Sequence, residues 1–289
     1  MAFFPAFFRR SAGAGLLLLA TLGACTVEPN TPTFAQPVAV TDNANAEARD
    51  YAAYTDLKWS DEFTGGALDQ TKWQYEVRDV WFNEELQATT NSANNLFLNN
   101  GNLVIQARRE ALNGRDYTSA RIVTRDKKSF TFGRIDVRAK VPSGKGIWPA
   151  IWMLGANDAT VTWPVCGEID IMELRGSQPN KVLGTVHFGN SVPDHRYIGG
   201  DYTAPMGNFS DDFHVYSVVR SRDEIRWFVD GVPFYSVTPG RVSPYPFNNP
   251  FYVILNVAVG GLFDGNPDGS TTFPQQMQVD YVKFFQYAE

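Results

Sequence analysis

The 289-residue chain has little cysteine: only Cys25 and Cys166 occur. A small fold stapled by several disulfides is therefore excluded. Basic charge is also short, with 25 Lys and Arg against 31 Asp and Glu and a formal net charge of −6. That balance lacks the basic face that nucleic acid requires. Three scattered histidines (His187, His195 and His214) and one cysteine in the body are a poor set for catalytic zinc. No long capped helical pattern and no repeat of fixed period occurs. What remains is 44% hydrophobic and 19% charged, which excludes a disordered chain.

The first 24 residues read as an export signal. Arg9 and Arg10 precede an apolar run, Gly13 to Leu22, too short to span a bilayer as a stable helix. Leu22-Gly23-Ala24-Cys25 follows at once. It resembles the lipobox of bacterial lipoproteins, in which cleavage leaves the cysteine as a lipidated N-terminus. The other reading is an ordinary secretory signal cut beside a cysteine. Both predict export, either lipid-anchored to a bacterial outer or cell-surface membrane or secreted. Membrane contact is then expected only through the lipid on Cys25. Removing residues 1–24 takes away two arginines and no acid, moving the net charge to −8. Residues 25–55, with Pro29, Pro32 and Pro37 and no periodic apolar pattern, read as the lipidated cysteine and a flexible tether.

Residues 56–289 read as one all-β domain. Leu103, Ile105 and Ala107 share one face of a segment, as do Ile135, Val137, Ala139 and Val141, with Arg134, Asp136, Arg138 and Lys140 opposite the latter. Phe251 to Val259 is nearly continuous in apolar residues, as in a central strand buried on both faces. Asn100-Gly101, Asn113-Gly114, Asp230-Gly231 and Asp264-Gly265 mark turns. Many short strands with such turns predict a sandwich or a barrel, and alternation alone does not separate the two.

The most informative stretch is Gly167-Glu168-Ile169-Asp170-Ile171-Met172-Glu173. In a regular strand Glu168 and Asp170 share a face, and Glu173 falls on the other. One extra residue, a β-bulge at Ile171-Met172, would bring Glu173 back to them. Three carboxylates on one face repel, so at least one is held protonated near neutral pH. Glycoside hydrolysis uses that mixture, with a carboxyl separation of about 5–5.5 Å for retention and about 6.5–9.5 Å for inversion. A solvated edge face or a calcium site would also use clustered acids.

Glu168-Ile169-Asp170-Ile171-Met172-Glu173 resembles the signature of glycoside hydrolase family sixteen, in its laminarinase-like branch. Trp59 to Phe63, Asn83-Glu84-Glu85-Leu86-Gln87, Gly144 to Gly155, Ala258 to Gly261 and Val279 to Val282 resemble further segments of that family. The resemblance implies a β-jelly-roll sandwich of two antiparallel sheets with a concave substrate cleft. It implies a retaining endo-1,3-β-glucanase, with mixed-linkage glucan or a marine galactan as alternative substrates. A noncatalytic β-glucan-binding protein is the alternative of another class, and keeping all three acids speaks against it.

The family's roles fall on this chain residue by residue. Glu168 matches the nucleophile, Glu173 the acid/base, and Asp170 the acid that tunes them. The Met172 insertion resembles the 1,3-β-glucanase branch. Asn83, Arg121, Trp148, Trp152, Trp163, His187 and Phe263 match or stand near substrate-contacting positions. Glu62, the Gly101 carbonyl and Asp280 match a structural Ca²⁺ site, and no cofactor is expected for catalysis itself. A β-glucan is the expected partner, and the protein is expected to be monomeric. The chain departs from the family in three places. Glu84 stands where Asn is common, Leu262-Phe263 where a tryptophan is common, and the segment from Arg220 lacks the tryptophan usual before it.

Overall fold

A computed structural model describes residues 44–288. The export signal, Cys25 and most of the predicted tether lie outside the described residues. Seventeen strands follow in chain order. The first eight are β1 (Tyr54–Asp61), β2 (Gln74–Tyr75), β3 (Gln87–Thr89), β4 (Leu96–Asn99), β5 (Asn102–Leu112), β6 (Arg115–Ser119), β7 (Arg121–Val123) and β8 (Gly133–Lys140). Then come β9 (Ile147–Gly155), β10 (Glu168–Leu174), β11 (Lys181–Phe188), β12 (Arg196–Thr203), β13 (His214–Arg220), β14 (Ile225–Val229), β15 (Val232–Val237), β16 (Phe251–Val259) and β17 (Gln275–Tyr287).

Two open sheets hold these strands. One runs β15-β14-β13-β8-β17-β5-β6-β3, with β1 added on β17 and β4 on β5. The other runs β12-β11-β10-β9-β16-β7-β2. The arrangement is a sandwich, not a closed barrel. Among the described residues β3 and β6 form the one parallel pair.

Alternation decides which face of each strand meets the core. On β8, Ile135, Val137 and Ala139 are buried in the shared core, and Arg134, Asp136 and Arg138 stand opposite. On β9, Ile147, Ile151 and Met153 point into that core, whereas Trp148, Trp152 and Leu154 do not. Burying each such aliphatic contributes about 1.5–3 kcal/mol. β16 is buried along its whole length, as its continuous apolar pattern predicts. Val253, Leu255, Val257 and Val259 join the main core, and Tyr252 and Ile254 pack with Trp152 and Leu154 on the outer face.

The acid strand β10 carries the bulge. Asp170 pairs with Trp152 on β9 and Met172 with Ile151, so Ile171 is the extra residue. Against β11, Asp170 pairs with Thr185 and Glu173 with Leu183, again one residue out of step. Ile169, Ile171 and Met172 all turn into the core. The opposite sheet supports this kink, because buried Trp227 on β14 donates its indole N–H to the Asp170 carbonyl at 2.8 Å. Gly184 on β11 makes room for that indole, since a Cβ there would meet its ring at 2.5 Å.

Two expectations need revision or detail. The tether was expected to reach residue 55, but the chain is packed on the sandwich from Ala44. Tyr54 is fully buried, and Tyr51 hydrogen-bonds Ser217 and Asp136 at 3.2 and 3.3 Å. Arg134 donates to the Tyr51 carbonyl at 2.8 Å, and Arg49 lies 3.9 Å over the Tyr287 ring. Tyrosines with β-sheet partners gave this segment an anchor that its prolines and small residues concealed. The segment from Arg220 is also filled differently. The Arg220 guanidinium packs 4.6 Å over Phe251 and donates to the carbonyls of Phe130 and Asn249.

The topology gathers the residues matched to calcium. Asp280 is the extra residue of a bulge in β17, between its pairing with β5 and with β1. Glu62 follows β1, and Gly101 lies in the β4–β5 turn at φ 75°. Both acids have cationic partners, Lys283 at 3.1 Å from Glu62 and Arg138 at 2.6 Å from Asp280.

Gly184→Ala tests the bulge support. The added methyl must push the Trp227 ring, so stability should fall by about 1–3 kcal/mol as overpacking. A denaturant-unfolding midpoint equal to that of the parent would remove Trp227 from this role.

Candidate active site

The bulge sets Glu168, Asp170 and Glu173 on the outer face of the second sheet. Asp170, between them, is 2% exposed. His187 on β11 pairs in register with Glu168. Its Nε2 lies 3.1 Å from Asp170 Oδ2 and 3.7 Å from Glu168 Oε1.

Burial is the main force on the two glutamates. It raises both pKa values, the negative charge of Asp170 raises both further, and His187 works in the opposite direction. Glu168 is pushed up to about 7, and Glu173 to about 8. Arg121 helps restrain Glu168, whereas Glu173 is also raised by Glu168. The pair therefore shares a proton near neutral pH, with Glu173 the stronger holder. Burial opposes charge on His187, but Asp170 and both glutamates overcome it and lift the imidazole to about 10. His187 is thus a charged clamp between the acids.

Aromatic side chains surround the acids. The Trp148 indole donates to Glu173 Oε1 at 2.9 Å. Its ring stacks on Phe263 at 4.7 Å and 25°. Arg175 holds Phe263 from behind, 4.1 Å over its ring and donating Nε–H to its carbonyl at 2.8 Å. Phe263 thus makes an aromatic step beside Trp148. Trp163 lies on the Glu168 side, its ring 6.4 Å from His187, and helps lower the Glu168 pKa. Asn83 is exposed, and its carbonyl accepts from the Leu262 amide at 2.9 Å, which places it on the same rim as Phe263.

Arg121 and Trp152 form a different unit. Trp152 donates to Asn256 Oδ1 at 2.7 Å. The Arg121 guanidinium is sandwiched between Trp152 at 4.6 Å and Trp81 at 4.4 Å, and its Nε lies 2.6 Å from Glu76 Oε2. Arg121 therefore clamps Trp152 in place as well as facing Glu168 with its charge.

Trp81, Glu76, Asn256, Arg175 and His195 belong to this region and escaped the sequence reading. Trp81 lies two residues before the Asn83 motif, so a wider window would have included it. His195, in the sequence only one of three scattered histidines, has its Nε2 2.8 Å from His187 Nδ1. The hairpin pairing of β11 with β12 was the available signal. His214, by contrast, pairs with exposed Asp230 at 2.7 Å, far along the other sheet.

Glu168, Asp170 and His187 place one possible ligand atom each within 4.8 Å of one another. In this structure His187 Nε2 lies 3.1 and 3.7 Å from the two carboxylates, and the trio stands as an ion-pair cluster. Cys166 is buried, and burial pushes its thiol up to about 12, so it is no nucleophile at neutral pH.

Two proton-sharing glutamates on an aromatic-lined sheet face define a glycoside hydrolase of the two-carboxylate type. The description "Glycosyl hydrolases family 16" matches residues 82–283, and the chain belongs to that family. Among curated relatives, the glucan endo-1,3-β-glucosidase A1 of Niallia circulans is 43% identical over 79% of this chain. The chain spans only 37% of that longer protein. The β-glucanase of Rhodothermus marinus is 42% identical, over 84% of this chain and 90% of its own length. The laminarinase catalytic domain of Thermotoga maritima superposes with a TM-score of 0.76 at 41% identity, over 81% of this chain and 99% of that one.

The pH profile follows from the charge map. A two-carboxylate pair works with one group ionised and the other protonated, so kcat/KM should be bell-shaped, and the raised proton affinities of Glu168 and Glu173 should displace both limbs above the ordinary carboxylate range. Asp170→Asn removes a like charge from both glutamates. The basic limb should therefore move to lower pH along with a drop in rate. A basic limb that stays in place would show that Asp170 does not set the Glu173 proton affinity.

Proposed function

We propose that the chain is a retaining, endo-acting enzyme that cleaves internal 1,3-β-D-glucosidic bonds of laminarin-type glucan by double displacement. The observation that carries this reading is the bulged strand with Glu168 and Glu173 on one face in unequal environments. The names of the 42–43% identical relatives support the glucan assignment. Met172, which the resemblance ties to the 1,3-β-glucanase branch, follows the extra residue Ile171 in β10 and supports that branch.

In the first step the Glu168 carboxylate attacks the anomeric carbon. The C–O bond to the leaving sugar breaks, and the Glu173 proton passes to that oxygen. The product is a glycosyl ester on Glu168. In the second step the Glu173 carboxylate takes a proton from water, the water oxygen attacks the same carbon, and Glu168 leaves. Trp148 holds Glu173 by its indole N–H and, with Phe263, offers a stacked platform for the apolar face of a pyranose. His187 keeps Asp170 and Glu168 from repelling each other out of line.

The proposal extends to location. Arg9, Arg10, the apolar run and Leu22-Gly23-Ala24-Cys25 support export with a lipid on Cys25, which would be the domain's one hold on a membrane surface. Acyl mass on the N-terminal peptide would support it, and an unmodified Cys25 in exported protein would end it. It extends also to calcium. Glu62, Asp280 and the Gly101 carbonyl form an all-oxygen donor set suited to Ca²⁺, which would have to displace Lys283 and Arg138. Catalysis uses no metal in this reading. Millimolar Ca²⁺ should raise Tm in the parent and not in Glu62→Gln, and equal Tm values with and without Ca²⁺ would remove this site.

Incubation with laminarin, lichenan and agarose, with analysis of fragments, tests the substrate. Laminarin should be cut internally, and NMR of the first products should show the β anomer. Glu168→Gln should lose at least about a thousandfold in kcat while keeping its Tm and sugar binding. Cleavage of agarose with laminarin untouched would replace the substrate, and binding without cleavage anywhere would make the protein a lectin.

A further inference from the structure

The loop joining β11 to β12 ends at His195, which stands behind His187 on the side away from the acids. His195 Nε2 is 2.8 Å from His187 Nδ1, and the two rings are parallel, 9° apart. Trp163 packs on His195 at 4.5 Å, and Tyr197 stacks at 6.0 Å. The ring is thus held by packing from two elements and by one polar contact.

That contact has a definite sense. His187 Nε2 faces two carboxylates, so it carries a proton. A charged His187 carries a second proton at Nδ1, and the atom facing it must be an acceptor. His195 Nε2 accepts only as the neutral ring protonated at Nδ1.

We propose that neutral His195 is a positioning residue of the active site, accepting the Nδ1–H of charged His187 and so aiming His187 Nε2–H at Asp170 and Glu168. The proposal rests on the glucanase reading for its kinetic meaning and on geometry alone for the bond itself. Every charged group around His195 agrees with it. His187 lies in front, with Glu168 and Asp170 beyond it. Asp194, exposed on the same loop, is taken by Asn190 at 2.8 Å and Arg196 at 3.3 Å. Trp163 and Tyr197 offer rings. Burial and the His187 charge both lower the His195 pKa, so the ring stays neutral in the range where the glutamates share their proton.

Loss of the acceptor should weaken the positive charge next to the acids. Glu168 would then hold its proton more tightly, and the acid limb of kcat/KM would move to higher pH. His195→Phe keeps a ring between Trp163 and His187 but accepts no hydrogen bond. It should lower kcat roughly ten- to hundredfold, the worth of one hydrogen bond to a charged group, with KM little changed. His195→Gln offers an amide oxygen and should restore most of the kcat and the acid limb. His195→Phe with the parent's rate and pH profile would overturn the proposal, as would His195→Gln no better than His195→Phe at equal Tm.

A second measurement is independent of substrate. In ¹⁵N-labelled parent protein, His187 should show both ring nitrogens protonated and a downfield Nδ1 proton that disappears in His195→Phe. A neutral His187 in the parent spectrum would overturn the proposal even if laminarin is cut. Inactivity on every glucan with the downfield proton present would overturn the glucanase reading and leave the bond standing.

Discussion

Three carboxylates crowded on one strand face, with the middle one 2% exposed, form the constraint on which the rest of this site depends. Left alone they would take up protons indiscriminately or push apart. The protein meets this with one positive charge set among them. His187 reaches Asp170 and Glu168, and the remaining repulsion falls on Glu173. The imbalance is useful because the chemistry needs one carboxylate bare and the other carrying a proton. Burial raises the proton affinity of both, and the arrangement of cations separates them.

The sandwich supplies what that arrangement needs: a strand fixed on both sides. β10 lies between β9 and β11, and its inward residues Ile169, Ile171 and Met172 are locked in the core. The outward residues cannot slide without pulling these apolar groups out. On the same outer face a second charged unit, Glu76 with Arg121 between Trp81 and Trp152, fixes an indole at neighbouring positions. The guanidinium is held by flat faces and by one carboxylate, so its charge reaches Glu168 without movement. Phe263 depends in the same way on Arg175 beneath it.

Much of this was legible in the sequence because it is written locally. Alternation marked β8, the unbroken apolar run marked β16, and five residues from Glu168 to Glu173 implied an extra residue on the strand. The sandwich was distinguished from a barrel only by family resemblance, since alternation reports one strand at a time. What was not legible depends on partners far apart in the chain. Trp81 meets Arg121 at a sequence separation of 40, and Trp227 meets Asp170 at one of 57. Tyr51 and Tyr54 looked like part of a loose spacer because their partners lie far along the chain, Asp136 and Ser217 for Tyr51 and Val219 and Phe228 for Tyr54. His195 was missed for a related reason: only the closed hairpin of β11 and β12 turns two isolated histidines into a pair.

The indole N–H from Trp227 to the Asp170 carbonyl is a small contact, yet it crosses from one sheet to the other. It makes the spacing of the acids a property of the whole sandwich. Copying the acid strand into another β protein would therefore transplant the letters without the register. A workable graft must bring Trp227 and the bare glycine at 184 along with it. The pair at 184 and 227 is tied, since a Cβ at 184 would meet the Trp227 ring at 2.5 Å and neither position can be altered without regard to the other.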